Sequence, residues 1–201
     1  SIGTREAMGL DQYFENEGFC YRLVPTIQTQ KGLTTKVNTD KLYNNLMNVY
    51  TWGRLEEDDV HVCHFNQRTL KVVGAREMFN ECARALLLEN KKDSAVAVLD
   101  RCEKILRFDK NPYDYYAVAT AELFLKAGAI DKGVKVIENY AMQCLDEIEY
   151  FSSLEPDFRK NVQDDEQRSL AIFSKIMELP EKYKLKELSE RLRNDLSLIM
   201  K

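Results

Sequence analysis

The sequence predicts an all-α protein, built of antiparallel helix pairs stacked in a right-handed array behind a short extended or irregular N-terminal segment. Three observations carry that prediction. Asp93-Ser94-Ala95-Val96-Ala97-Val98-Leu99 returns thirty-eight residues later as Asp131-Lys132-Gly133-Val134-Lys135-Val136-Ile137. At the same offset Ala83 matches Ala121, Leu86 matches Phe124, Leu87 matches Leu125 and Asn90 matches Gly128. From Asn66 almost to the end, apolar residues recur at three- and four-residue spacing, the period of a helix with one buried face.

The elements follow in order. Residues 1–37 carry turn and extended signals; Tyr21 to Pro25 is extended because Pro25 biases Val24 out of helical geometry. A polar run, Gln28 to Lys36, follows. Thr39 can cap a helix bearing Leu42, Tyr43, Leu46, Met47 and Tyr50 on one face, and Gly53 can end it. Glu56-Glu57-Asp58-Asp59 is an acidic loop, read as solvated charge. Val60 to Phe65 then alternates like a short strand. The first repeat helix runs to about Asn90, with Val73, Phe79, Cys82, Ala83, Leu86 and Leu87 inward. Asp93 opens the second, on which Val96, Leu99, Cys102 and Leu106 share a stripe. Asn111 as cap and Pro112 at the first helical position open the third, which Ala127-Gly128 closes. Asp131 opens the fourth, extending to Phe151. Pro156 starts a segment carrying Phe158, Leu170, Phe173, Ile176 and Met177, and Pro180 breaks it. Leu185, Leu188, Leu192, Leu196 and Ile199 form the seam of a final capping helix. The expected organisation is residues 1–37 packed on a helical region, 38–201, as one compact domain.

The matched positions have physical reasons. Ala83 and Ala121 permit close approach of a crossing helix, as do Ala95 and Gly133 on the second helix of each pair. Asn90 and Gly128 occupy turns where a left-handed backbone is cheapest for Gly and tolerable for Asn. The pattern resembles the tetratricopeptide repeat, whose unit of roughly 34 residues is stretched here around Phe108 to Asn111. Asn90 in the turn and Gly133 in the second helix depart from the usual Gly and Ala. Stacked helix pairs of this kind present surfaces for partners.

Composition narrows the function further. A net charge of −4 gives no basic field for nucleic acid. No apolar run approaches the roughly 18 residues that span a bilayer. The chain begins at Ser1 without Met or signal peptide, which points to a piece of something longer. Five cysteines lack CxxC spacing; Cys82, Cys102 and Cys144 fall on apolar stripes, as buried free thiols do.

Candidate chemistry is sparse. On a strand, Asp59, His61 and Cys63 would share a face and could hold a metal, with His64 pointing away; a small metal-binding or enzymatic protein built on these residues is one alternative reading, and a free-standing soluble scaffold without a membrane parent is the other. Asp164-Asp165-Glu166 lacks the alternating spacing of a calcium loop. Asn111-Pro112-Tyr113-Asp114-Tyr115-Tyr116 places three tyrosines near a helix start, where they cannot all face inward, and exposed tyrosine suits an interface. Tyr113, Asp114, Tyr115 and Tyr116 are therefore the candidate binding residues. No phosphate loop, GxSxG elbow or HExxH is present. The reading is a non-enzyme with no catalytic residues and no cofactor, and its partner is a protein.

Glu17-Gly18-Phe19-Cys20-Tyr21-Arg22-Leu23-Val24-Pro25, Thr39-Asp40-Lys41-Leu42-Tyr43-Asn44-Asn45-Leu46-Met47 and Trp52-Gly53, in this order, resemble the C-terminal region of a bacterial membrane-protein family. Leu99-Asp100-Arg101-Cys102 and Asn111 to Tyr115 are also similar to that family's tail. Its members are multi-spanning proteins related to protein O-mannosyltransferases, with a C-type glycosyltransferase fold. The resemblance covers about Gly18 to Tyr140. It implies a soluble tetratricopeptide-like tail on the periplasmic face of the inner membrane, binding its own parent or an acceptor polypeptide. The family's catalytic acids lie in the membrane portion, so none is carried onto this chain.

Overall fold

The computed structural model describes residues 9–27 and 36–199. Among the described residues the chain is all-α apart from three short N-terminal strands, as the periodicity predicts. Its contacts divide it into two compact units, Ser1–Pro112 with Lys126–Gly128, and Tyr113–Leu125 with Ala129–Lys201. Most of the polar run Gln28 to Lys36 lies outside the described residues.

In the first unit, β1 (Phe14–Asn16) lies between antiparallel β2 (Tyr21–Leu23) and parallel β3 (Lys36–Val37). Helix α1 (Thr39–Asn44) runs on as a wider π turn over Asn45–Val49. Its cap is Asn38, not Thr39: Lys41 N–H donates to Asn38 Oδ1 at 3.2 Å, while the Thr39 hydroxyl donates to Glu89 at 2.7 Å. The strand expected over Val60 to Phe65 does not form. Only Val62 of the irregular residues 60–63 is buried, and His64 opens α2 (His64–Val72). The Gln67 side-chain amide holds that entry by donating to Val62 O and Lys110 O, at 3.2 and 2.7 Å. The first repeat helix is also shorter than expected. Gly74, at φ +66°, breaks it from α3 (Ala75–Leu88) and leaves Val73 48% exposed instead of inward.

The core of this unit is the hairpin of α3 with α4 (Lys92–Ile105), where Phe79, Cys82, Ala83 and Ala85 meet Ala95, Val98, Leu99 and Cys102 out of solvent. Arg76 crosses the hairpin although only 1% exposed. Its guanidinium pairs with Glu103 and donates to Leu106 O at 3.2 Å, satisfying a carbonyl at the C-terminal end of α4.

The second unit holds α5 (Ala117–Ala127), α6 (Ile130–Ser153), α7 (Pro156–Arg159), α8 (Gln163–Lys182) and α9 (Lys186–Ile199). Gly133 is fixed by close approach, since a Cβ there would lie 2.7 Å from Leu125 Cδ2 and 3.2 Å from Ala121 O. Pro180 does not break α8. It is buried inside the helix, and the turn beyond it closes through Tyr183 N–H to Leu179 O at 2.9 Å and Leu185 N–H to Pro180 O at 2.8 Å. Proline forfeits only its own donor; its carbonyl still serves.

Three hairpins share one turn. Asn90, Gly128 and Lys184 adopt φ of +62°, +91° and +59°, and the next helix starts two residues later at Lys92, Ile130 and Lys186. Each turn closes through the same backbone bond: Lys91 N–H to Leu86 O, Ala129 N–H to Phe124 O, and Leu185 N–H to Pro180 O, at 2.9, 3.0 and 2.8 Å. Five residues past the left-handed position stand Ala95, Gly133 and Ser189, all buried. Eight residues past it stand Val98, Val136 and Leu192, also buried. The α8–α9 hairpin thus follows the register of the two visible in the sequence.

Lys184 carries a Cβ into a region that Gly enters freely. Lys184→Gly is expected to raise unfolding stability by about 0.5–1 kcal/mol in urea titrations; a loss of stability would show that the lysine side chain supplies more than the backbone strain removes.

Candidate functional site

The structure separates the tyrosines. Tyr113 is 3% exposed, its ring meeting Tyr140 edge-on at 5.5 Å. Its backbone N–H donates to Gln143 Oε1 at 2.9 Å, and Gln143 Nε2 donates back to Tyr113 O at 3.3 Å. Tyr113 is therefore part of the core and not accessible to a partner. Nor do Asn111 and Pro112 open the helix. Asp114 Oδ1 accepts the Tyr116 N–H at 3.0 Å, and Asp114 O accepts the Ala117 N–H at 2.9 Å, so the local bonds of Asp114 set the start of α5. Tyr115 and Tyr116 remain, 59% and 36% exposed, with rings edge to face at 6.2 Å. Of the four candidate residues, these two form the accessible surface and Asp114 positions them.

The metal alternative is not assembled. His61 and Cys63 are exposed on irregular chain, and Asp59 accepts from Arg54 at 2.7 and 2.9 Å. Among the described residues no group of three His, Cys, Asp or Glu is placed to hold a metal. The acidic loop is tied down, not simply solvated. Glu56 pairs with Arg101 and, at 2.6 Å, with Lys104; Asp58 pairs with Arg107; Lys110 reaches Glu57 O. Lys104 and Arg101 hold the Glu56 carboxyl below its ordinary range, and Arg107 does so for Asp58.

The cysteines divide as their spacing suggests. Cys82, Cys102 and Cys144 are buried, and burial pushes the Cys82 and Cys144 thiols up to about 12, out of nucleophilic range. In the second unit a cavity of about 590 Å³ lies against α6 and α9, with Val134, Leu185 and Leu188 beside Lys184, Lys186 and Glu187. Its Arg191 is paired with Glu138.

Residues of Glu17 to Pro25 and of Thr39 to Met47 meet in one polar knot in the first unit. Glu17, 7% exposed, accepts from Arg22 Nε at 2.5 Å and Lys41 Nζ at 2.9 Å. Its backbone carbonyl accepts from Asn45 Nδ2 at 2.9 Å and the Tyr50 hydroxyl at 3.1 Å. Gly18, at φ +120°, lies so close under Tyr50 that a Cβ would sit 2.9 Å from the ring Cε2. Phe19 rests on Tyr50 and Trp52, and Trp52 rests on Phe79, with centroids 4.9, 5.8 and 5.5 Å apart. The hydrogen bonds of Arg22, then of Lys41, hold the Glu17 carboxyl down at about 2.

Comparison with protein-family models, with curated proteins and with solved structures finds no match to this chain.

Two predictions follow from these environments. Glu17 is depressed from 4.5 to about 2, so its stabilisation is full above pH 4.5 and is lost as pH falls toward 2. The difference in melting temperature between wild type and Glu17→Gln should be largest near neutral pH and shrink across that window; a difference independent of pH would refute the ionic role. Tyr113→Ala should lower stability by about 3 kcal/mol, as removal of a buried aromatic ring does, whereas Tyr115→Ala should stay within about 0.5 kcal/mol of wild type. Equal losses in denaturant titrations would contradict the assigned burial.

Proposed function

We propose that this chain is a non-catalytic, tetratricopeptide-like domain that binds protein, and that it is the soluble tail of a membrane glycosyltransferase-like parent on the periplasmic face of the inner membrane. The observation that carries protein binding is the Tyr115–Tyr116 pair, exposed yet fixed at the start of α5 by Asp114. Rigid aromatic side chains with a polar hydroxyl give broad contact at low entropic cost. The parent or an acceptor polypeptide is the partner this surface would take.

The membrane parent is supported by the coherence of the residues that resemble the family. Glu17 of the first block meets Lys41 and Asn45 of the second, so the two blocks describe one local structure. No helix among the described residues is long and apolar enough to cross a membrane, so any membrane attachment comes from elsewhere in such a parent.

An antibody raised against this chain tests the parent directly. In fractionated cells that make the protein, the expected band is far larger than 23.4 kDa, in the membrane pellet and resistant to carbonate. A band near 23.4 kDa outside the pellet would overturn the parent reading. With the parent in hand, Tyr115→Ala should weaken association between the tail and the rest of the protein, or its acceptor, by about tenfold; unchanged association with both would remove this surface.

A further inference from the structure

We infer that the outward face of α2 is a second docking surface, and that its occupant is an acidic amphipathic helix of another polypeptide. The inference rests on the reading of this chain as a protein-binding domain but uses a surface that reading does not.

Helix α2 has no buried residue. Gln67, Leu70 and Lys71 are its least exposed side chains and mark the inward face. Phe65 and Val72, seven residues apart and therefore on one stripe, are 74% and 76% exposed, and Val73 just beyond is 48% exposed. The helix thus shows solvent two of its three apolar side chains, Phe65 and Val72, while Leu70 turns inward. Arg68 lies between Phe65 and Val72 on the same outward face, and it is exposed. Arginines 22, 54, 76, 84, 101, 107, 159, 168, 191 and 193 all have a carboxylate partner. Among the described arginines Arg68 alone has none. No Asp or Glu occurs from Val60 to Arg76 to supply one locally.

Those facts choose the occupant. Two apolar contacts one heptad apart with a free guanidinium between them fit a helix that offers apolar residues at i and i+7 and a carboxylate between. A second copy of this chain fails the charge test, because an antiparallel α2 pair centred on the stripe sets Arg68 against Arg68. A lipid surface is disfavoured by three apolar side chains on a chain of net charge −4.

The test uses the full chain and two synthetic helices of about 20 residues, with the same pair of leucines one heptad apart, flanked by Glu in one and Lys in the other. By fluorescence anisotropy the acidic helix should bind about tenfold or more tightly than the basic one. Phe65→Ser and Val72→Ser should each weaken it by about tenfold without lowering the melting temperature, since both side chains are already exposed. Arg68→Glu should reverse the preference. Equal binding of the two helices, or undiminished binding by Phe65→Ser, would overturn the proposal. So would sedimentation of the chain with phosphatidylserine vesicles that Phe65→Ser abolishes, which would assign the face to lipid. Tyr115→Ala should bind the acidic helix as wild type does; loss of binding there would refute the assignment to α2 while leaving the tyrosine surface standing.

Discussion

A connection of two or three residues between antiparallel helices demands one residue in the left-handed region, and the rest of this fold is arranged around that demand. Asn90, Gly128 and Lys184 each meet it, and each places the following helix so that a small buried residue faces the preceding one. The bond that closes the turn satisfies a carbonyl the first helix would otherwise leave open, so chain reversal and helix termination are one event. Gly133 shows how tight the result is. With Leu125 and Ala121 already within contact of an absent Cβ, any side chain there would force the pair apart. The close packing of Ala83 and Ala95 in the first hairpin answers the same constraint with methyl groups in place of hydrogen.

Within the first unit, charge secures what the turn positions. Arg76 is nearly inaccessible yet paired, and it serves α4 at the carbonyl end where the helix dipole is negative. A buried ion pair of this kind contributes little net energy relative to well-packed apolar residues, but breaking it by removing one partner costs about 3–5 kcal/mol. Glu17 acts similarly on the N-terminal segment, where one side chain and its own carbonyl join the β1–β2 turn to α1 and Tyr50.

The sequence disclosed the hairpins wherever their residues were the ones physics prefers. Gly128 and Asn90 are good left-handed residues, and the flanking apolar positions repeat at a fixed offset, so both turns were legible. The α8–α9 turn was not, because Lys184 is a poor left-handed residue and Pro180 reads as a break. Its recognition needed the backbone. The alternation of Val60 to Phe65 misled for a different reason: period two over six residues is a weak signal, and Gln67 bonds from the next helix decide the conformation. Helix α2 ended early because Gly74 enters the left-handed region, a choice Gly permits and does not announce. At the candidate site, crowding at a helix start made it foreseeable that Tyr113, Tyr115 and Tyr116 would not all be buried. Which tyrosine would go inward depended on Tyr140 and Gln143, about thirty residues away, which no local pattern could supply.

The disposition of polar groups separates architecture from interaction. Carboxylates that looked available in the sequence, Glu56 to Asp59 among them, are committed to arginines and lysines of the same chain, and Asp114 is committed to its own turn. Other side chains face solvent: the Tyr115 and Tyr116 rings, and the Arg68 guanidinium between Phe65 and Val72. Leaving large apolar groups and an unpaired arginine in water gains nothing for folding, since burial would stabilise the first and pairing the second. Their exposure is intelligible as contact surface held for a partner, and in both places a short helix or its capped start fixes the geometry before any partner arrives. Pre-organisation of that kind lowers the entropic cost of association, which is the advantage a rigid helical hairpin has over a flexible tail.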